Sequence, residues 1–400
     1  MDIFEEALQY HKHLGGKLNI HPKTKIQSTH DLSLVYTPGV ARVCEEIAKD
    51  PELAYEMTIK KNSVAIVTDG SAVLGLGNIG PLAALPVMEG KALLFKEYAG
   101  IDAFPICVQT QDAQEIIKLV RNISPVFGGI NLEDISAPRC FEIESALQDL
   151  GIPVFHDDQH GTSITLLAGL VNAAKLAEKP FEELTVVING AGAAGTAIAD
   201  LLLGKGYDYK PYGYKPVKEV VICDSKGIIS LKREDVKNFP AKLRLAQETN
   251  RRQITGSIGD ALVGADVFVG VSVANCVTQE MVREMADKPI IFSMANPIPE
   301  IMPDEAKAAG AFVVGTGRSD FPNQVNNVLI FPGIFRGAID ARSPVISAEM
   351  KLAAGFALAN SVEEITVERV IPAVLNKSVP FLIAKKVAQI AQQSLVTAGR

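Results

Sequence analysis

Residues 183–224 constrain the fold more than any other part of the chain. This stretch begins with an apolar strand that runs directly into Gly190-Ala-Gly192-Ala-Ala-Gly195. A helix is predicted for residues 196–203, and the strand after it ends in the acidic residue Asp224. The order of strand, GxGxxG, helix, strand and acid is typical of a Rossmann-type, doubly wound parallel sheet. The sequence therefore predicts an α/β fold that contains a domain of this type.

The same residues predict a dinucleotide cofactor. Glycines let the backbone approach a pyrophosphate, which binds at the N-terminus of the helix that follows. The residues predicted to hold it are Gly190, Ala191, Gly192, Ala193, Ala194 and Gly195. The Asp224 carboxylate can accept hydrogen bonds from the ribose 2′-hydroxyl and would repel a 2′-phosphate, which favours NAD. Lys226 follows closely and weakens that argument, so NADP stays an alternative.

A second GxGxxG match, Gly75 to Gly80, does not fit this cofactor. Several residues separate it from the strand predicted at 63–68, whereas the fingerprint needs a tight strand-to-helix turn. Pro81 follows directly, and no strand ending in an acid comes at the expected distance. A glycine-rich turn that brings the backbone close to some ligand remains open.

Two pairs of acidic residues point to a metal site. Asp157 and Asp158 follow a short apolar run that is predicted to be a buried strand, and Glu133 and Asp134 follow another. Adjacent carboxylates at the end of a buried strand are costly unless a cation or a proton lies between them. Hard oxygen ligands of this kind suit Mg²⁺ or Mn²⁺. On its own, the second pair is better explained as a helix N-terminus.

Zinc is the alternative metal, because His156 and His160 are spaced i, i+4 around the acids. A zinc site needs a third ligand, however, and no cysteine lies nearby in sequence. The five cysteines are widely scattered, which favours reduced core thiols in a cytoplasmic protein over a disulfide framework.

Tyr36 and Lys91 are candidate acid–base residues. Tyr36 precedes a Pro-Gly turn, where a phenol could face a cleft, although spacing alone favours a tyrosine that packs the loop. Lys91 heads an apolar segment, where burial would lower its pKa and suit it to act as a base. The alternative is a surface lysine with a partly buried stem, which is favoured until a partner is found.

Three asparagines, Asn296, Asn326 and Asn327, follow predicted strands of the second sheet. Open α/β sheets bind ligands beyond the carboxyl ends of their strands, so these amides could meet a nicotinamide or a carboxylate substrate. The alternative for each is an asparagine that caps a turn.

The length of 400 residues predicts two domains. We place an N-terminal α/β domain at 1–160 and the dinucleotide-binding domain at 161–335. A C-terminal helical segment at 336–400 is expected to pack on the first domain or on a partner subunit. The net charge of −7 argues against nucleic-acid binding. Acids near the N-terminus argue against a signal peptide, and no apolar run reaches the ~20 residues needed to cross a bilayer.

A series of ordered motifs covers nearly the whole chain. They are SLVYTPGVA (33–41), TDGSAVLGLGNIGP (68–81), EGKALLFKEYAGIDAFPI (89–106), NLEDI (131–135), FHDDQHGT (155–162), NGAGAAG (189–195), ANPIPEI (295–301) and GRSDFPNQVNNVLIFPG (317–333). With these motifs the chain resembles the malic enzyme family in its compact bacterial form.

The resemblance implies a role for each candidate site residue. Lys91 would be the general base that takes the proton of the malate 2-hydroxyl, and Tyr36 the acid that protonates C3 of enolpyruvate. Asp157 would support the lysine. The implied metal ligands are Glu133, Asp134 and Asp158, and the implied amides for substrate and nicotinamide are Asn296, Asn326 and Asn327.

The activity implied by the resemblance is oxidative decarboxylation of (S)-malate to pyruvate and CO₂, with reduction of NAD(P) and a divalent metal. A relative that only decarboxylates oxaloacetate, or that makes lactate, is the first alternative. A non-catalytic dinucleotide-binding sensor is the second. A cytoplasmic homodimer is expected. One position departs from the family, because larger members carry an arginine for a substrate carboxylate where this chain has Ala72.

Overall fold

The protein is built on two parallel β-sheets. The structure, a computed structural model, describes residues 2–73 and 75–397. The first sheet has the strand order β2-β1-β3-β4, and all of its pairs are parallel. Its strands are β1 (Ser63–Thr68), β2 (Asp102–Cys107), β3 (Gly129–Leu132) and β4 (Val154–His156). Strands β1, β3 and β4 are buried along their whole length, as expected for a parallel sheet covered on both faces.

The second sheet confirms the predicted Rossmann-type architecture. Its strand order is β10-β9-β8-β5-β6-β7, and all pairs are parallel except the short antiparallel pair of β6 with β7. The strands are β5 (Thr185–Asn189), β6 (Glu219–Asp224), β7 (Gly227–Ile228), β8 (Val267–Gly270), β9 (Ile290–Ser293) and β10 (Val313–Thr316). The chain reverses direction across the sheet between β5 and β8, and such a point is where this fold binds ligands.

Helices cover both sheets. They are α1 (Ile3–Leu14), α2 (Thr29–Val35), α3 (Val40–Lys49), α4 (Ala54–Met57), α5 (Gly80–Ala99), α6 (Ala113–Ile123), α7 (Arg139–Ala146), α8 (Asp157–Ala177), α9 (Ala193–Leu202), α10 (Pro240–Glu248), α11 (Ile258–Leu262), α12 (Gln279–Arg283), α13 (Pro303–Ala308), α14 (Phe331–Asp340), α15 (Ala348–Asn360) and α16 (Ser378–Thr397).

Helix α8 corrects one expectation. The sequence places the start of this helix at Thr162, but it begins at Asp157, so both acids lie in its first turn. Acidic side chains are stabilised at a helix N-terminus, which explains the early start. The division proposed between residues 160 and 161 therefore falls inside a continuous helix.

The C-terminal segment packs back on the rest of the chain, as predicted. Helix α14 lies against α16 so closely that a Cβ on Gly337 would be 2.5 Å from the Ala384 carbonyl oxygen. Arg336 of this segment also contacts the first domain, where its Nη1 donates a 2.6 Å hydrogen bond to Asn62 Oδ1. The segment is not helical throughout, since residues 361–377 connect α15 to α16 without a helix. Its last residues, 398–400, lie outside the described part of the chain.

The N-terminal helices have no core of their own. Helices α1, α2 and α3 contain no buried residue. In α1 and α2 the large apolar side chains are instead exposed, and these are Ile3, Phe4, Leu8, Tyr10, Leu14, Leu32, Leu34 and Val35. The described chain therefore leaves this apolar surface uncovered.

Two further features concern the environment of the chain. No helix within residues 2–73 and 75–397 is long and apolar enough to cross a membrane. All five cysteines, Cys44, Cys107, Cys140, Cys223 and Cys276, are free thiols in the structure.

The close α14–α16 contact can be tested with Gly337→Ala. The added methyl group would meet the α16 backbone, so we expect a loss of about 1–3 kcal/mol in the free energy of unfolding. Gly90→Ala is the matched control, because this helical glycine has only the end of Lys17 at 4.0 Å. That change should stabilise the protein by up to ~1 kcal/mol. Equal unfolding temperatures for the two variants would contradict the packing described here.

Candidate active site

The candidate site lies at the carboxyl edge of the first sheet. Strands β3 and β4 are neighbours, so the residues that follow them meet at this edge. Glu133 and Asp134 come after β3, and Asp157 and Asp158 come after β4 as the first two residues of α8. The two acidic pairs singled out in the sequence are therefore brought together.

Three of these acids form a cluster with the geometry of a metal site. One carboxylate oxygen from each of Glu133, Asp134 and Asp158 lies within 4.8 Å of the others. Asp158 Oδ2 also accepts a 2.8 Å hydrogen bond from the Asp134 backbone N–H. Asp134 has a φ of 54°, an uncommon conformation for a residue other than glycine, and this turn directs its amide to Asp158. Its Oδ2 is buried without a hydrogen-bond partner, which is the position expected of a free metal ligand.

The electrostatics of the cluster also call for a cation. Burial, followed by the charge of Asp158, raises the pKa of Asp134 to about 8. Burial raises the pKa of Glu133 well above its ordinary value, and the negative charge of Asp158 adds to this. Carboxylates held this close ionise together only if a positive charge is supplied. The residues present therefore fit Mg²⁺ or Mn²⁺, which prefer oxygen ligands.

The two histidines do not join the cluster. Among the described residues, the group of three metal-ligating side chains contains no histidine. His156 is fully buried, and its Nδ1 lies 3.9 Å from Asp158 Oδ2. His160 faces Glu144 instead, at 2.9 Å. The zinc alternative therefore has no support from this geometry.

Lys91 lies beside the metal cluster and is buried, contrary to the surface alternative. It projects from α5, and its Nζ is 2.5 Å from Glu133 Oε2 and donates a hydrogen bond to Asp157 Oδ2. The ammonium group also lies 4.4 Å from the centre of the Phe331 ring. Burial alone would lower the pKa of Lys91, but the charges of Asp157 and Glu133 outweigh it and raise the pKa above its ordinary value. Lys91 is thus a cation while these carboxylates are unneutralised.

The two adjacent asparagines have different surroundings. Asn327 Nδ2 donates to Asp157 Oδ2 at 3.0 Å, and its Oδ1 accepts from Thr162 at 3.1 Å. Asn326 Oδ1 accepts from the Val328 backbone N–H at 3.0 Å, which is the turn-capping arrangement. The structure thus joins Asn327 directly to the Lys91–Asp157 pair and gives Asn326 a local contact.

Tyr36 is the candidate that the chain does not bring into the site. It caps the C-terminus of α2 and is 67% exposed. The side-chain contacts of Lys91 are with Glu133, Asp157 and Phe331, and Tyr36 is not among them.

The predicted dinucleotide motif lines a cleft of about 750 Å³ at the carboxyl end of the second sheet. Gly190 has a φ of 123°, and a Cβ on Gly195 would be 1.8 Å from the Gly190 carbonyl oxygen, so both positions require glycine. A Cβ on Gly192 would meet open space, and no side chain caps α9 there. The first amides of α9 are therefore free for a pyrophosphate.

Asp224 lines the same cleft, but its carboxylate is already bound. Arg233 Nη1 is 2.7 Å from Oδ1, and Lys242 Nζ is 2.5 Å from Oδ2. Burial raises the pKa of Asp224, but the hydrogen bonds from Arg233 and Lys242 lower it by more, so the pKa lies below its ordinary value. Because two cations lie beside the acid, its presence no longer excludes a 2′-phosphate, and the argument from Asp224 for NAD over NADP is weaker.

The loop after β9 connects the two sheets. A Cβ on Gly75 would be 2.2 Å from the Asn296 carbonyl oxygen, so the first glycine-rich turn packs against this loop. Glu300 holds the loop by accepting from the backbone N–H groups of Ala295 at 3.0 Å and Ser272 at 2.9 Å. The side chain of Asn296 is directed to Gly317, where an added Cβ would be 2.7 Å from its Nδ2.

Sequence reasoning missed several residues that shape this site. Phe331 contacts Lys91, Thr162 contacts Asn327, and Glu300 holds the loop that carries Asn296. All three lie inside quoted motifs, but none has a side-chain pattern that assigns it a role. Arg233 was missed for another reason, since its approach to Asp224 depends on how the loop after β7 folds. A cation soon after the acidic strand end was the available signal.

Comparison with known proteins agrees with this geometry. Residues 15–148 match the family model "Malic enzyme, N-terminal domain", and residues 159–392 match "Malic enzyme, NAD binding domain". The chain is 55% identical to the bifunctional malic/malolactic enzyme of Bacillus subtilis, over 98% of this chain and 94% of the relative. It is 52% identical to the NAD-dependent malic enzyme of Geobacillus stearothermophilus, over 96% and 78%.

The fold of this chain is also similar to that of a solved malic enzyme structure. The crystal structure of an NAD-dependent malic enzyme from Thermotoga maritima has a TM-score of 0.90 and 48% sequence identity, and the match covers 96% of this chain and 98% of that one. On these grounds the chain belongs to the malic enzyme family.

Proposed function

We propose that this protein catalyses the NAD(P)-dependent oxidative decarboxylation of (S)-malate to pyruvate and CO₂ with a divalent metal. The observation that carries the proposal is the Lys91–Asp157 pair in contact with the Glu133–Asp134–Asp158 cluster. A base beside a metal site suits removal of a proton from a hydroxyl group. Relatives named NAD-dependent and NADP-dependent malic enzymes support the same activity.

The protein's own residues would act around Lys91. Asp157 Oδ2 accepts a hydrogen bond from its amine, and Asn327 Nδ2 donates to the same oxygen and so holds the Asp157 carboxylate in place. With the carboxylates neutralised, the burial of Lys91 would favour the neutral amine, which can take the proton of the malate 2-hydroxyl. A bound Mg²⁺ or Mn²⁺ would supply Lewis-acid polarisation of the substrate oxygens.

The proposal also includes a homodimer. Helices α1 and α2 expose an apolar surface, and the exposed Tyr36 directly follows α2 instead of lying beside Lys91. A second copy that covered this surface would bury it and could bring Tyr36 to the neighbouring site as the acid for C3. Two-fold dimers are the commonest arrangement for such self-covering surfaces.

Coenzyme and location complete the proposal. We keep NAD as the proposed coenzyme and NADP as the alternative, because Asp224 faces the cleft together with Arg233 and Lys242. Asn296 is proposed to orient the nicotinamide and Asn326 to assist substrate binding. A cytoplasmic location, with no nucleic-acid or membrane partner, fits the free thiols and the net charge of −7.

The central test is an assay of the purified protein with (S)-malate and Mn²⁺. We expect absorbance of the reduced nicotinamide to rise, and comparing kcat/KM for NAD⁺ and NADP⁺ also tests the part played by Asp224. Lys91→Ala should lower kcat by roughly 10²–10⁴, the range for a positioned acid–base group.

The alternatives give different results in the same assay. Lactate or CO₂ without net NADH would favour a malolactic enzyme or an oxaloacetate decarboxylase, and the name of the Bacillus subtilis relative makes lactate worth measuring. Coenzyme binding with no turnover of malate or oxaloacetate would favour a sensor.

The metal site can be tested by thermal unfolding with Asp158→Asn. Mn²⁺ at about 100 times its Kd should stabilise the wild type by ~2.7 kcal/mol, and the variant should lose this gain because it lacks a ligand charge. Without metal, the variant should be at least as stable as the wild type, since Asp158 repels Glu133 and Asp134. Asp149→Asn, an exposed acid, is the control and should keep the Mn²⁺ gain. An undiminished gain in Asp158→Asn would argue against the site.

The dimer can be tested by mixing Tyr36→Phe with Lys91→Ala. If Tyr36 acts in the partner's site, a hybrid dimer has one site with both residues intact. Random exchange of subunits should then restore up to about a quarter of the wild-type rate of malate oxidation. Each variant alone, treated in the same way, is the control. A mixture no more active than the sum of its parts would show that Tyr36 does not act across the interface.

A further inference from the structure

Glu144, on α7, is a buried carboxylate that the proposed reaction does not use. Its side chain is 11% exposed and faces the first turn of α8. Oε1 accepts a 3.1 Å hydrogen bond from the His156 backbone N–H. Oε2 accepts a 3.2 Å bond from the Gln159 side chain, and His160 Nε2 lies 2.9 Å from the carboxylate. A buried charge is costly, so three contacts with one helical turn indicate a specific task.

Helix α8 lacks a side-chain capping bond at its N-terminus, and this explains the contacts of Glu144. His156 occupies the N-cap position of α8, and its side chain makes no capping hydrogen bond. The next two residues, Asp157 and Asp158, carry charges that repel each other. Glu144 binds the free N–H at this end from outside the helix, where the helix dipole favours an anion. It therefore satisfies one of the unpaired N–H groups of this helix end, the one that the glutamate of a capping box would bind.

The charge of Glu144 is balanced from the C-terminal segment. Lys351, on α15, lies 3.1 Å from His160 Nε2 through its Nζ. Burial raises the pKa of Glu144, but the charges of His160 and Lys351 outweigh it and lower the pKa to about 2. Glu144 is thus ionised at neutral pH. Helix α7 of the first domain and α15 of the C-terminal segment meet at the first turn of α8, which carries the proposed metal ligand Asp158.

We propose that Glu144 is a positioning residue that fixes the directions of the Asp157 and Asp158 carboxylates. The connection is short, because Asp158 is the second residue of the helix whose N-cap N–H Glu144 binds. Asp158 meets the Asp134 amide at 2.8 Å and Asp157 meets Asn327 at 3.0 Å, so a small rotation of the turn would break both contacts. The inference rests on the proposed function, in which Asp158 binds a cation.

The experiment is a Mn²⁺ titration of Glu144→Gln and Glu144→Ala, without substrate. The electron paramagnetic resonance signal of free Mn²⁺ reports binding independently of activity. Loss of a residue that orients a metal ligand typically weakens the metal by about 10–100-fold, and we expect that rise in Kd for Glu144→Ala. Glu144→Gln keeps an acceptor oxygen of the same shape, so its Kd should rise less. In both variants kcat for malate should fall while KM for the coenzyme stays within about twofold.

A matched control separates positioning from general destabilisation. Glu219 is also a buried carboxylate, paired with Arg252 at 2.8 Å, but it lies at the amino end of β6, away from the carboxyl edge. Glu219→Gln should lower the unfolding temperature and leave the Mn²⁺ Kd unchanged. The inference is overturned if the Glu144 variants bind Mn²⁺ like the wild type, or if Glu219→Gln weakens it equally. A wild type that binds Mn²⁺ but leaves malate unchanged would overturn the proposed function instead, and the titration would still report on Glu144.

Discussion

The site depends on how the protein keeps four carboxylates in one buried place. Glu133, Asp134, Asp157 and Asp158 lie at one edge of the first sheet, and Lys91 is the cation that contacts two of them. One lysine does not balance four acids, so the chain leaves a deficit of positive charge. A divalent cation would remove that deficit and, at the same time, the charges that keep Lys91 protonated. The proposed metal site and the proposed base would therefore form a single electrostatic unit.

Much of the fold could be predicted because its signals are local. The GxGxxG unit and the short buried strands follow from glycine geometry and from the apolar runs of parallel sheets. The acidic pairs were also found from local sequence, since adjacent carboxylates at the end of a buried strand are costly without a cation or a proton. The start of α8 was placed too late because Asp157 and Asp158 were assigned to the end of the preceding strand. Their preference for a helix N-terminus was the signal that pointed to the correct start.

Other parts could not be predicted because they depend on contacts between distant residues. The sequence after Asp224 contains cations, but it does not say that Arg233 folds back onto the acid, and that contact changes what Asp224 implies for the coenzyme. Glu144, His160 and Lys351 come from three helices, and no motif links them. Tyr36 shows a different limit. It is exposed in the single chain and contacts none of the other candidate site residues, so its proposed role depends on a surface that the single chain does not cover.

Helix α8 has a mechanical consequence. Its first turn supplies Asp158, while its apolar body is buried in the same core as β5 and β9 of the second sheet. Glu133 and Asp134, in contrast, are fixed to the end of β3 in the first sheet. A cation bound by these residues would link the start of α8 to the end of β3. Binding of that cation would then also restrain the position of α8 relative to the first sheet.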